Sequence, residues 1–180
     1  MRVLSELVAT RLGAKNFARE IKTHLAEKYP NIHLGTITGD PAGDAASQTD
    51  EQTVFHMLAS EGLMAKPASS NDSQIRREAV ATPLSQLIDG QPALVISPSC
   101  VNLRKAMSGG YHYRRVRVSD ERYEEKPNKN MSSHIAESLQ YLMMGLGIGR
   151  EVIRQPDVIE ARKRNRAKFA EMEYDMYNRP

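Results

Sequence analysis

Ile32-His33-Leu34-Gly35-Thr36-Ile37-Thr38-Gly39-Asp40-Pro41 is the stretch on which the fold class turns. Its β-branched and apolar residues read as a strand over 32–38, closed by the turn residues Gly39, Asp40 and Pro41. Upstream, Ala14, Phe17, Ala18, Ile21 and Leu25 recur at helical spacing, which predicts an amphipathic helix ending before Pro30. Further back, Met1 to Ala9 holds Val3, Leu4, Leu7 and Val8 in a short β-like run. Downstream, Thr49-x-x-Gln52 reads as a capping box for a helix through Val54, Phe55 and Leu58 to Gly62. Leu63 to Ala68 fits a short strand. Asn71 then opens a helix through Ile75, Ala79, Val80, Leu84, Leu87 and Ile88, kinked by Pro83 and ended by Gly90.

The same alternation continues. Ala93 to Ser97 reads as a strand and Leu103 to Met107 as a short helix stopped by Gly109-Gly110. Tyr111 to Val118 alternates aromatic and aliphatic residues with Arg and His, the period of a half-buried strand that adds a hairpin. A polar loop over 120–130 leads into a helix from Ser132 to Leu146, and the segment from Pro156 onward reads as a charged helix. Strands alternating with helices imply an α/β domain over 1–149 followed by a tail over 150–180.

Composition narrows the function classes. The 180 residues carry 25 Lys+Arg against 22 Asp+Glu, a net charge of +3 that is compatible with nucleic acid without demanding it. A single cysteine, Cys100, excludes a disulfide framework and a cysteine-based zinc module. Cys100 reads as a buried small residue. Neither a G-x-x-x-x-G-K-[ST] loop nor a G-x-G-x-x-G fingerprint is present, so the sequence carries no sign of an ATPase or dinucleotide enzyme. With no Trp and 6% aromatics, a base-stacking platform is not expected. The start resembles no signal peptide, and no apolar run has the length of a membrane span, which predicts an intracellular protein.

Asp40 follows an apolar strand, where α/β sheets place their sites, although Asp is equally at home in a plain turn. His134, Glu137 and Tyr141 share one helix face, opposite the stripe Ile135, Leu139, Leu142, Met143 and Leu146; that face is either a site or simply solvated. Arg114, Arg115 and Arg117, with Lys126 and Lys129 in the next loop, could make a basic wall for phosphates, or be ordinary surface charge. Paired carboxylates such as Asp40 and Glu137, with a third acid, could hold two Mg²⁺ or Mn²⁺ ions about 3.5–4 Å apart for phosphodiester cleavage.

Read in order, the strings Gly39-Asp40-Pro41-Ala42-Gly43, Arg76-Arg77-Glu78, Asp89-Gly90, Ser97-Pro98-Ser99-Cys100, Gly109-Gly110-Tyr111 and Ser133-His134-x-x-Glu137-x-Leu139-Gln140-Tyr141 resemble the C-terminal nuclease domain of the large terminase subunit of tailed bacteriophages. The resemblance spans roughly residues 1–147. It implies a ribonuclease H-like mixed sheet flanked by helices. It also implies an endonuclease that cuts concatemeric double-stranded DNA during packaging, with two divalent ions on three acids. Asp40 then matches the second acid. Glu137 stands where the family usually has Asp as the third, with His134 beside the metal. Arg114, Arg115, Arg117, Lys126 and Lys129 would meet DNA. The implied partners are an ATPase domain, a small terminase subunit and a portal, in the cytoplasm of the bacterial host.

By the same resemblance, Met1 to Ala9 matches the second strand of the sheet, so the first strand with its Asp, and the ATPase domain before it, are expected to be missing. A truncated, non-catalytic terminase fragment is therefore the competing reading. A free-standing resolvase-like nuclease is a third, with Glu6 as its only suggestive further acid. In the nuclease reading Asp40 and Glu137 should lie within about 8 Å of each other, to share a metal cluster.

Overall fold

The computed structural model describes residues 1–45, 52–115 and 123–148, with the side chains of 125 and 126 outside that description. The chain enters through β1 (Arg2–Val3), and α1 (Ala14–Lys28) follows at the spacing its apolar residues predict. β2 (Ile37–Gly39) ends at Asp40, whose carboxylate accepts from the Ala42 amide and opens a 3₁₀ turn over Pro41–Asp44. α2 (Val54–Ser60) is capped by Thr53, whose hydroxyl accepts from the His56 amide. β3 (Ala65–Pro67) pairs parallel with β2, Thr38 opposite Lys66. α3 (Ser73–Leu84) starts at Asp72, which accepts two first-turn amides. β4 (Leu87–Ile88) and β5 (Gln91–Pro92) make a hairpin, and β6 (Val95–Ile96) pairs parallel with β1. α4 (Val101–Lys105) widens into a π-type turn over Ala106–Gly110; β7 (Tyr113–Arg115) and β8 (Tyr123–Pro127) pair antiparallel; α5 (Met131–Gly145) follows. The class is mixed α/β, and among the described residues the strands form four two-stranded sheets.

α5 is the hub. It packs on α3, β2 and α4, and its Leu139, Met143 and Met144 join Val80, Leu94 and Leu103 in the core. Its N-terminus is a reciprocal capping box: Asn130 accepts from the Ser133 amide while the Ser133 hydroxyl accepts from the Asn130 amide. At its C-terminus β2 comes very close. A Cβ on Gly145 would stand 2.0 Å from Thr38 Oγ1, so only glycine permits this approach.

Several expectations are corrected. The β-like run over Met1–Ala9 pairs only at Arg2–Val3, and the 32–38 strand is confined to Ile37–Gly39. α2 begins at Val54 because Thr53 caps it, not at the Thr49 box; Thr49 to Glu51 lie outside the described residues. Leu87 and Ile88 are strand, not helix. Asp89 and Gly90 take φ of 51° and 74°, the two positive values a tight two-residue hairpin requires. The 120–130 loop contains β8, which completes the hairpin with β7. The tail over 150–180, with the residues from 149, falls outside the described residues. Among the described residues no helix is long and apolar enough to cross a membrane.

Candidate functional site

The seam between α3, α5 and the end of β2 is where polar side chains are buried. Glu137 and Gln140 are buried polar residues of α5, and Tyr141 is buried beside them. The predicted polar face therefore divides: Glu137 and Tyr141 turn inward, His134 stays exposed, and the apolar positions Leu142 and Leu146 are exposed as well. The expectation that the apolar stripe alone faces the core is corrected, because α5 meets Arg76 of α3 on its polar side.

Tyr141 is the centre of the seam. Its hydroxyl donates to Asn71 Oδ1 at 2.8 Å, and the Arg76 guanidinium lies over its ring, 4.7 Å from the centroid. Arg76 Nη1 donates to Gln140 Oε1 at 3.1 Å, and Gln140 Nε2 in turn donates to the Tyr111 hydroxyl at 3.3 Å. Burial pushes the Tyr141 phenol well above its ordinary pKa; Arg76 pulls it back, while the negative charges of Asp40 and Glu137 push it further up. The two acids singled out from the sequence stand on elements that pack together, one at the end of β2 and one on α5. Asp40 is exposed and Glu137 buried. Lys129 Nζ reaches both Glu137 oxygens at 2.7 Å, so the carboxylate already holds a cation.

No family model matches the chain, and neither a curated protein nor a solved structure matches it.

The other candidate residues fall elsewhere. His134 lines a hollow of about 390 Å³ together with Leu7, Val8, Arg11, Phe17 and Met131. Glu6 is a helix cap: its carboxylate accepts from the Asn102 and Leu103 amides at 2.7 and 2.8 Å and from Asn102 Nδ2 at 2.9 Å. With its oxygens committed to the start of α4, Glu6 does not serve as a third acid. Arg114 and Arg115 are exposed on β7; Arg117 and the Lys126 side chain lie outside the described residues. Among the described residues no group of three His, Cys, Asp or Glu is placed to hold a metal. Two carboxylates, one already spanned by a lysine, do not make the two-ion centre. As hard oxygen donors they suit at most a single divalent ion of the Mg²⁺ or Mn²⁺ kind.

Sequence reasoning missed Arg76 and Asn71. Arg76 stood out only as part of a string, since burial of an arginine leaves no mark in residue type. The one usable signal was position: Ile75, Arg76, Ala79, Val80 and Pro83 fall on one face of α3, and of these only Ile75 is less than fully buried.

Proposed function

We propose that the chain is a terminase-type, ribonuclease H-like DNA domain, with Asp40 and Glu137 as the carboxylates that face a divalent ion during endonucleolytic cutting of concatemeric double-stranded DNA. One observation carries the reading: β2, which ends at Asp40, packs on α5, which carries Glu137, so the two acids belong to elements in contact. Hard oxygen donors from two elements are what a Mg²⁺ or Mn²⁺ ion requires, and such an ion supplies Lewis-acid stabilisation of charge on a phosphodiester. Exposed Arg114 and Arg115, with Arg117, Lys126 and Lys129, are the residues proposed to meet the DNA backbone. The ATPase domain, small subunit and portal of a packaging machine, in an infected bacterial cytoplasm, are the partners that belong to this reading.

A second reading has its own support. With no third acid among the described residues and Glu137 already paired to Lys129, the chain serves as a non-catalytic fragment that keeps DNA or portal contacts. Plasmid nicking in Mn²⁺ separates the two. Cleavage by the full chain that falls at least about 100-fold in Asp40→Ala supports the nuclease, since even outer-shell losses cost about 10–100-fold. DNA binding without cleavage supports the fragment. Binding should weaken with salt at a slope near −3.6 for about four phosphates; affinity flat in salt counts against both.

A further inference from the structure

One flank of α5 stands open beside the amino-terminal limb. Leu7 and Val8 of the limb, Phe17 of α1, and Met131 and Ile135 of α5 wall the hollow of about 390 Å³ there. Leu7, Phe17 and Ile135 are half-buried, whereas Val8 and Met131 are 40 and 52% exposed. That volume lies at the lower end of the roughly 300–1,000 Å³ range in which small molecules are held, and apolar walls with a few polar groups are how such sites are built. Met131, His134, Ile135 and Ser138 line it at helical spacing, on a different face of α5 from the buried Glu137 and Tyr141.

The charge in the hollow has one sign. Arg11 and His134 are the ionisable side chains that line it among the described residues. Neither the guanidinium nor the imidazole has a hydrogen bond or ion pair there. Glu6 stands in the adjoining hollow of about 220 Å³, with its carboxylate committed to the Asn102 and Leu103 amides.

Arg11 is also held in a costly backbone conformation. Its φ of 58° lies in the left-handed region, which residues other than Gly, Asn and Asp seldom enter. Its side chain bonds no neighbouring backbone group, so no local bond accounts for the turn. Strained residues of this kind gather where a side chain is presented to a ligand. The turn hands the limb to α1 at Ala14 and leaves Arg11 beside the apolar walls.

We propose that this hollow binds a small amphipathic carboxylate, its apolar body against Leu7, Val8, Phe17, Met131 and Ile135 and its head on Arg11, with His134 as a second donor. One guanidinium fork matches one planar carboxylate with two parallel hydrogen bonds. A neutral molecule with the same body leaves the fork unused, and a cation meets like charge.

The test follows the Met131 methyl in the full chain labelled with ¹³C-methyl methionine, its resonance assigned by its loss in Met131→Leu. Three probes share one apolar body: octanoate, 1-octanol and octyltrimethylammonium. Octanoate should move the resonance saturably and bind at least about tenfold more tightly than octanol, as a charge-assisted hydrogen bond provides, while octyltrimethylammonium should not bind. Arg11→Gln should reduce octanoate to the level of octanol. Arg11→Gly should do the same while raising the melting temperature, because glycine accepts the positive φ freely. Octanoate binding that survives in both variants overturns the role of Arg11 and the proposal with it. Equal affinity of the wild type for octanoate and octanol overturns the carboxylate, and a resonance that no probe moves overturns the site. A Met131 resonance that shifts with protein concentration in the absence of probe places a second copy in the hollow. Methyl contacts from Met131 to Met172 or Met176 place the chain's own tail there. Either result also overturns the proposal.

Discussion

The two sides of α5 differ in what they bury: polar residues join the core on one side while apolar ones stay exposed on the other. Toward α3 and β2 the helix buries Glu137, Gln140 and Tyr141, at 7, 4 and 5% exposure. On the other side Met131, Leu142 and Leu146 stand at 52, 38 and 56%. Polar groups go inside where each finds a partner: Lys129 for Glu137, Arg76 and Tyr111 for Gln140, Asn71 for Tyr141. Apolar groups stay outside where the neighbouring chain, from Leu4 to Leu12, is itself largely uncovered. Hydrogen-bond supply lets these polar groups turn inward beside the core residues Leu139, Met143 and Met144 of the same helix.

The sharpest way to break the buried side is at its closest approach. Gly145→Val drives a branched side chain into Thr38 and should destabilise the protein by about 3 kcal/mol, at the upper end of overpacking costs; urea unfolding measures it. A midpoint within error of the wild type would mean that β2 does not press on α5. The contrast between sides comes next. Met143→Ala, in the core, should cost about 2–5 kcal/mol, whereas Leu146→Ser, three residues on, should stay within about 0.5 kcal/mol. Equal costs for the two would erase the distinction between the faces.

The amino-terminal limb offers a smaller effect. Glu6→Ala removes the side chain that, among the described residues, satisfies the Asn102 and Leu103 amides of α4, and the loss of such a cap costs about 1 kcal/mol. Thermal melting checks it, and Glu6→Gln should recover part of the loss. The smallest effect belongs to the exposed pair joining α1 to the end of α2. Arg19 holds the Glu61 carboxyl below its ordinary value, first through its hydrogen bond and then through its charge, against a partial opposing effect of burial. A carboxyl lowered on folding stabilises above its unfolded pKa, and that gain is lost as pH falls through the folded one. The stability difference between wild type and Glu61→Gln should therefore be present at pH 7, shrink on acidification below the ordinary carboxylate range, and weaken with salt. A difference that grows in acid would contradict the sign.

Much of the framework could be read before any coordinate was seen. The spacing of Ala14, Phe17, Ala18, Ile21 and Leu25 gave α1, and α5 was placed to within a residue at either end, because both carry a long helical period. Short elements were harder. Leu87-Ile88 sits in register with the preceding helix, and only the two positive φ values at Asp89-Gly90 turn it into a hairpin. β8 is Tyr-Glu-Glu-Lys-Pro, polar enough to pass for a loop, since its strand character comes from pairing with β7. At the candidate site, Asp40, Glu137 and Tyr141 stand out in the sequence as polar residues beside apolar runs. What was not legible was the direction of α5, which depends on the tertiary partners Arg76, Asn71 and Tyr111.

The parallel pairing of β1 with β6 sets a clock on biosynthesis. Glu6 meets its partner amide 96 residues further along, and Val3 waits for Ile96. At about 5–20 residues per second, that partner leaves the ribosome roughly 5–20 s after the limb itself. Through that interval Leu4, Leu7 and Val8 have only α1 beside them, without β6, α4 or α5, and distant contacts are the slowest to close. The yield of correctly folded chain is thereby tied to translation speed across the first hundred codons. Faster decoding between α1 and β6 shortens the time during which a nascent limb can pair with the limb of a neighbouring chain instead.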